Sequence, residues 1–179
     1  MNLSFTPSQL SDAKNITTLV NAAYRGESSR QGWTTEADLL DGLRTSIEDI
    51  SSLLAQDDKM ILLAKADEVV VGTVLLLRTE AQVELSMFAV DPRYQNQGIG
   101  KQLLTYAEDT AIRHWTSKEA IMAVIPCRTE LIAFYQRRGY RLTGENIPFP
   151  VNPALWTPKV DTLSLTLLVK ALSVKAGAQ

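Results

Sequence analysis

Residues 83–107 read VELSMFAVDPRYQNQGIGKQLLTYA, and the reading of this stretch decides the architecture around it. Val83 to Val90 is a short apolar run that stops at Asp91-Pro92, as a buried strand does when a proline ends its ladder. The polar segment Arg93 to Gln97 leads to Gly98-Ile99-Gly100. From there Ile99, Leu103, Leu104, Ala107 and Ala111 recur at helical spacing. The expected order is strand, glycine turn, helix. The first amides of such a helix have no intrahelical partner, and the positive end of the helix dipole lies behind them. Together they make an anion site. Gly98 and Gly100 carry no Cβ, so a phosphate can approach the backbone closely.

Spacing separates the phosphate-binding motifs that use such a turn. A Walker loop needs a glycine five residues before its Gly-Lys pair and Ser or Thr after it; here Gln95 and Gln102 hold those places. A dinucleotide fingerprint needs three glycines, and only two are present. Gln95-x-x-Gly98-x-Gly100 after Val90-Asp91-Pro92 resembles the acetyl-coenzyme-A motif of the GNAT superfamily of N-acetyltransferases. A second block, IMAVIPCRTELIAFYQRRGY over Ile121–Tyr140, is similar to the family's strand and helix that end in Tyr-x-x-x-Gly-Phe/Tyr, with Tyr135, Gly139 and Tyr140 in the matching places. The resemblance covers roughly residues 83–143. It implies an α/β GNAT fold: a mixed central sheet of about seven strands with helices on both faces.

Composition sets the outer bounds. The 179 residues suit one domain with a sizeable core, taken as 1–172 with a frayed tail at 173–179. A hydrophobic fraction of 45% is ordinary for a soluble globular protein, and a net charge of −2 gives no case for nucleic acid or an anionic membrane as main partner. A single cysteine excludes an internal disulfide and suits a reducing, cytoplasmic setting. With one histidine, a Cys/His zinc cluster is excluded too, and no metal is expected. The first residues, MNLSFTPSQLSD, lack a cationic region followed by an apolar core, so no signal peptide is expected. No apolar run is long enough to span a bilayer. A homodimer is left open.

In chain order, Leu3–Thr6 reads as a strand, followed by a helix capped by Ser8 or Ser11 with Leu10, Ala13, Ile16, Val20, Ala23 and Tyr24 on one face. Arg25–Trp33 reads as a loop. Thr35-Glu36-Ala37-Asp38 is expected to cap a helix carrying Leu39, Leu40 and Leu43, with Ser46–Gln56 helical or irregular. Met60–Ala66 and Val69–Leu77 form a hairpin around Asp67-Glu68. After the glycine-turn helix come a buried strand at Ala120–Ile125, a helix from Arg128 to Arg138 ended by Gly139, and a strand beginning at Tyr140–Thr143. Gly144–Pro158 reads as an ordered loop, and Val160–Val169 closes the sheet. The strands around Val90 and Val124 are expected to run parallel as a pair.

Acyl transfer from a thioester to an amine needs a seat for the pantetheine, an oxyanion donor, a base for the ammonium and an acid for the leaving thiolate. The resemblance implies that the backbone of Phe88, Ala89 and Val90 supplies the first two. It places the pyrophosphate on Gln95, Asn96, Gln97, Gly98, Ile99, Gly100, Lys101 and Gln102, and it makes Tyr135 the general acid, a role that suits a phenol with a pKa near ~10. The family's usual acidic residue, about four positions before the motif valine, is Ser86 here. Glu84 lies two residues upstream on the same side of an alternating strand, and it is the candidate base, acting directly or through water held by Ser86; the plainer alternative pairs it with Arg78. Arg128 stands where the family commonly has Asn, and it can hold a coenzyme phosphate or an acceptor carboxylate, or be solvated. Cys127, without a base, reads as a small hydrophobe rather than a nucleophile.

The acceptor site is expected in the loops over the motif strand. Trp33, Phe149 and Trp156 with Glu27 form an aromatic and acidic set suited to a cationic amine, with Glu36 and Glu145 near them in sequence. The reading is an acetyl-CoA-dependent N-acetyltransferase acting on a small-molecule amine through a ternary complex. Its alternatives are a peptide or protein N-terminal acetyltransferase and a non-catalytic acyl-CoA-binding regulatory module.

Overall fold

The computed structural model describes residues 2–173; most of the tail expected to fray lies outside them. Nine strands are described, β1 (Leu3–Pro7), β2 (Leu40–Gly42), β3 (Lys59–Ala66), β4 (Val69–Thr79), β5 (Gln82–Val90), β6 (Glu119–Val124), β7 (Arg141–Pro148), β8 (Trp156–Pro158) and β9 (Ser164–Ala171). The helices are α1 (Ala13–Tyr24), α2 (Gly26–Ser29), α3 (Ile47–Leu54), α4 (Ile99–Trp115) and α5 (Thr129–Gln136). Seven strands form one mixed sheet in the order β1-β3-β4-β5-β6-β9-β7, while β2 and β8 pair apart from it. The β3–β4 hairpin turns on Asp67 and Glu68, both at positive φ (47° and 71°), a twist that suits a two-residue hairpin loop.

Each face of the sheet buries its own apolar layer. On one, Leu103 and Leu104 of α4 and Leu131 of α5 pack with Leu62, Leu76, Val83 and Leu85. On the other, Ile16 and Val20 of α1 and Ile50 of α3 pack with Ile61, Leu63, Met87 and Ala89. Strand β5 contributes to both in an order that simple alternation does not allow. Val83 and Leu85 face α4, yet Met87 and Ala89 face α1. The β4–β5 register shifts between Thr73↔Ala89 and Leu75↔Ser86, and Met87 sits at φ 44°. This β-bulge flips the side-chain parity midway along the strand. Phe88 and Val90 are thereby returned to the α4 layer.

Several local expectations are corrected. The helix expected from Thr35 is a single turn: the Leu39 and Leu40 amides reach Glu36 O, and the chain then extends into β2. Leu39 O accepts from Lys159 N, and Leu43 N donates to Leu155 O. Groups a helix needs for itself are taken by β8 and its flanks. Gly42, at φ +94°, leaves no room for a Cβ, which would lie 2.1 Å from Leu155 O. Leu10 is 64% exposed in a 3₁₀ turn before α1. Neither Ser8 nor Ser11 caps that helix; the Asp12 carboxylate accepts from Gln9 N at 2.8 Å. Gly26–Ser29, expected as loop, is the short α2. Much of Gly144–Pro158 is strand: β7 runs on to Pro148 beyond a register shift, and β8 begins at Trp156. The parallel pairing of β5 with β6 lies at Gln82–Glu84 with Glu119–Ile121 and goes no further. Around Val90 and Val124 the two strands have parted.

Candidate active site

Two cavities meet where β5 and β6 part. The first, about 610 Å³, is walled by Phe88, Val90, the Tyr94–Lys101 turn, and Leu131, Phe134, Arg137 and Arg138 of α5 and its end. Its floor is the N-terminus of α4. The first helix bond runs from Gln102 N to Gly98 O at 3.2 Å, so the amides of Ile99, Gly100 and Lys101 have no intrahelical partner. Gly98 makes the entry at φ +78°. Those amides, with Lys101, Arg137 and Arg138 at the rim, form a seat for a polyanion. Trp33, Phe88 and Phe134 supply an apolar wall; the Trp33 and Phe134 ring centroids are 5.8 Å apart and those of Phe88 and Phe134 6.3 Å. A long ligand with a diphosphate and an apolar arm fits this donor set.

Gln95 has a structural task in this wall. Its Oε1 accepts from Trp33 N at 3.1 Å, and its Nε2 donates to Thr34 Oγ1 (3.1 Å) and Val90 O (3.0 Å). One amide side chain thus fastens the Trp33–Thr34 segment to the end of β5.

The second cavity, about 170 Å³, lies on the α1 side and shares Phe88 and Leu131 with the first. Glu84, Ser86, Tyr135, Tyr24, Phe149 and Trp156 border it. Tyr24 Oη donates to Phe88 O at 2.6 Å, crossing the junction between the cavities. Burial of the Tyr24 ring raises its pKa, the positive charge of Arg128 partly opposing. Burial likewise pushes Tyr135 well above the ordinary phenol value, so its hydroxyl is protonated at any working pH. Glu84 is exposed and makes no ion pair among the described residues.

Beneath this cavity lies a buried ionic trio. Glu36 takes Arg25 on Oε2 and Arg128 on Oε1, the latter at 2.8 Å. Arg128 also donates to Thr34 O at 2.5 Å. The Arg25 and Glu36 side chains are 3% and 8% exposed. Removing one partner from such a pair leaves an uncompensated charge in a poorly solvated place. E36Q is therefore expected to lower the unfolding free energy by roughly 3–5 kcal/mol, read by urea denaturation. A loss under about 1 kcal/mol would put the trio in the class of surface pairs.

The family model described as acetyltransferase (GNAT) family matches residues 17–140. The chain belongs to this family. No curated protein is similar to it in sequence. Among solved structures, the ribosomal-protein-S18-alanine N-acetyltransferase from Escherichia coli is similar at a TM-score of 0.71 with 12% identity, covering 99% of each chain. The paia N-acetyltransferase from Thermoplasma acidophilum, solved in complex with coenzyme A, gives 0.68 at 18% identity over 96% of this chain and 99% of its own. A spermidine N-acetyltransferase chimera from Vibrio cholerae gives 0.69 at 14% identity over 96% of each. At such identities the likeness is one of fold.

Within this GNAT acetyltransferase the expected site residues divide. Phe88, Val90, Gln95, Asn96, Gly98, Ile99, Gly100 and Lys101 line the first cavity, whereas Ala89, Gln97 and Gln102 do not. Ala89 is buried on the α1 face, and Gln97 and Gln102 are exposed. The Phe88 carbonyl, expected to serve the ligand, is occupied by Tyr24. Arg128, assigned to the cofactor, borders the second cavity with its guanidinium engaged by Glu36 and Thr34. Trp33, expected at the acceptor, walls the first cavity. Glu27 lines neither: its side chain is 91% exposed and paired with Arg30. Phe149 and Trp156 do border the second cavity, with rings 6.3 Å apart. Sequence reasoning missed Tyr24, Arg25, Arg44, Arg137 and Arg138 as site residues. The signal that could have found the basic pair is Arg137-Arg138 itself, directly after Tyr135 within the block that resembles the family.

Proposed function

We propose that this protein is an acetyl-CoA-dependent N-acetyltransferase, carried on one domain over residues 1–172, that acetylates the primary amine of a small molecule in a ternary complex in the cytoplasm. One observation carries the reading: an anion-binding turn and a pocket with one unpaired carboxylate, Glu84, and one free phenol open onto the same junction, at Phe88 and Leu131. The Ile99–Lys101 amides with Lys101, Arg137 and Arg138 would hold the coenzyme phosphates, and Trp33, Phe88 and Phe134 its apolar arm. Bound acetyl-CoA supplies an activated acetyl group and a thiol leaving group. The acceptor nitrogen forms its bond to the acetyl carbon as the carbon–sulfur bond breaks. Glu84, directly or through water on Ser86, takes the ammonium proton, and Tyr135 holds the proton destined for the departing sulfur. A cavity of about 170 Å³, below the roughly 300–1,000 Å³ of drug-sized sites, favours a small acceptor over a peptide chain.

Thiol release from acetyl-CoA with a panel of amines tests turnover. Absence of release with every amine, in protein that binds the coenzyme, would leave only the binding-module reading. E84Q is expected to depress kcat/KM about tenfold or more and to remove the acidic limb of its pH profile, the rate then rising with pH as free amine becomes available. An unchanged acidic limb returns the base to bulk water.

A further inference from the structure

The charge around the second cavity is the reverse of what a purely cationic acceptor asks for. Arg25, Arg44 and Arg128 border it, against Glu36 and Glu84. Glu36 is consumed by two of the arginines, so that trio keeps one surplus positive charge. Arg25 is 4% exposed, and its Nε and Nη2 have no hydrogen-bond partner among the described residues. Buried guanidinium donors left open are costly, and a nearby anion is what relieves them.

Arg44 adds a second uncompensated charge at the mouth. No carboxylate pairs with it among the described residues. Its guanidinium carbon lies 6.0 Å from the ring centroids of both Tyr24 and Trp156, at the outer edge of cation–π reach of each. The backbone beneath it is fixed from α1: Asn21 Oδ1 accepts from Arg44 N at 2.7 Å and Thr45 N at 3.2 Å, and Nδ2 donates to Thr45 O at 3.0 Å. The β2–β8 pairing, Gly42↔Trp156, sets the tryptophan alongside. An arginine positioned this way and left unpaired presents a fork that matches a carboxylate.

We infer that the acceptor is a small zwitterion, an amino acid or a close relative, whose amine meets Glu84 and whose carboxylate meets Arg44 within the surplus field of Arg25 and Arg128. The inference rests on the proposed acetyltransfer. It departs from the aromatic and acidic cradle that the sequence suggested, because Glu27 faces solvent and Glu36 is neutralised.

The test is thiol release with free L-amino acids, their amides and the matched decarboxylated amines, together with short peptide amides. Free amino acids are expected to exceed their decarboxylated partners in kcat/KM by roughly 10²-fold or more, since a site built for a polar group rejects the analogue lacking it. R44Q should act mainly by raising KM for the amino acid and should shrink that preference below about tenfold, with R44K between the two because lysine lacks the bidentate fork. Amides or decarboxylated amines turned over equally well by the unaltered protein overturn the inference while leaving acetyltransfer standing. So do peptides that react where free amino acids are inert, and an R44Q variant that keeps the full preference. Turnover of no amine at all overturns the proposed function and the inference together.

Discussion

Replacing Tyr135 by Phe is expected to lower kcat by roughly 10²–10⁴-fold, the range of a general acid, while the protein melts close to where it did before. The substitution keeps the ring, and the ring is what the fold uses. Its centroid lies 5.3 Å from Phe134 and 5.8 Å from Tyr140, both edge-on, and 6.1 Å from Phe88. Burial holds its pKa well above that of a free phenol, so as general acid the group would enter the reaction with its proton in place. Tyr24, the other buried phenol of the second cavity, has its hydroxyl committed to Phe88 O, which leaves Tyr135 as the phenol free to donate. Steady-state kinetics and a thermal melt on Y135F read the two halves of the prediction. A loss in kcat below threefold makes Tyr135 a packing residue, and a large fall in melting temperature with it points the same way.

What could be read from the chain and what could not divide along the distance over which each feature is determined. The β5–turn–α4 unit was legible because its cues are contiguous: an apolar run, a proline that ends it, two glycines and a helical repeat within one stretch. The β3–β4 hairpin is local in the same way. The helix misread at Thr35–Leu43 had good local cues, but its carbonyl and amide groups are claimed by residues near 155–159, and no local pattern announces that competition. Glu36 shows the same limit in the site. In sequence it is a helix-cap carboxylate. In the fold it joins Arg25, eleven residues earlier, to Arg128, ninety-two later. Each of these charges alone reads as a solvated surface group, and only their convergence makes a positive pocket. The Met87 bulge is a subtler case. Alternation put Glu84 and Ser86 on one face, and both border the second cavity because they precede the bulge, whereas beyond it Met87 shares their face and Phe88 turns to the α4 layer.

Gly98→Val is expected to weaken coenzyme binding by about 100-fold or more while the protein still folds. Gly98 opens α4 at φ +78°, ψ 1°, a left-handed conformation that costs a residue with a Cβ roughly 1–2 kcal/mol and a branched one the upper part of that. For a chain of this size such a penalty moves the melting temperature by only a few degrees. The folded chain itself offers little steric resistance: a Cβ at this position meets nothing closer than the Gln102 side-chain nitrogen, at 4.0 Å. Space that the protein leaves empty in front of unpaired helix amides is where the phosphates would come to rest in the proposed complex. Valine's methyl groups would stand in that space and hold an anion away from the amides of Ile99, Gly100 and Lys101, weakening charge-assisted bonds that fall off steeply with length. Gly98→Ala separates the two contributions, since it brings similar backbone strain with far less bulk and should lose affinity by a smaller factor. Calorimetric titration with coenzyme A reads both variants, alongside a melt to show that each is folded. Affinity unchanged in folded Gly98→Val would remove the turn as the phosphate seat, and with it the assignment of the first cavity to the coenzyme.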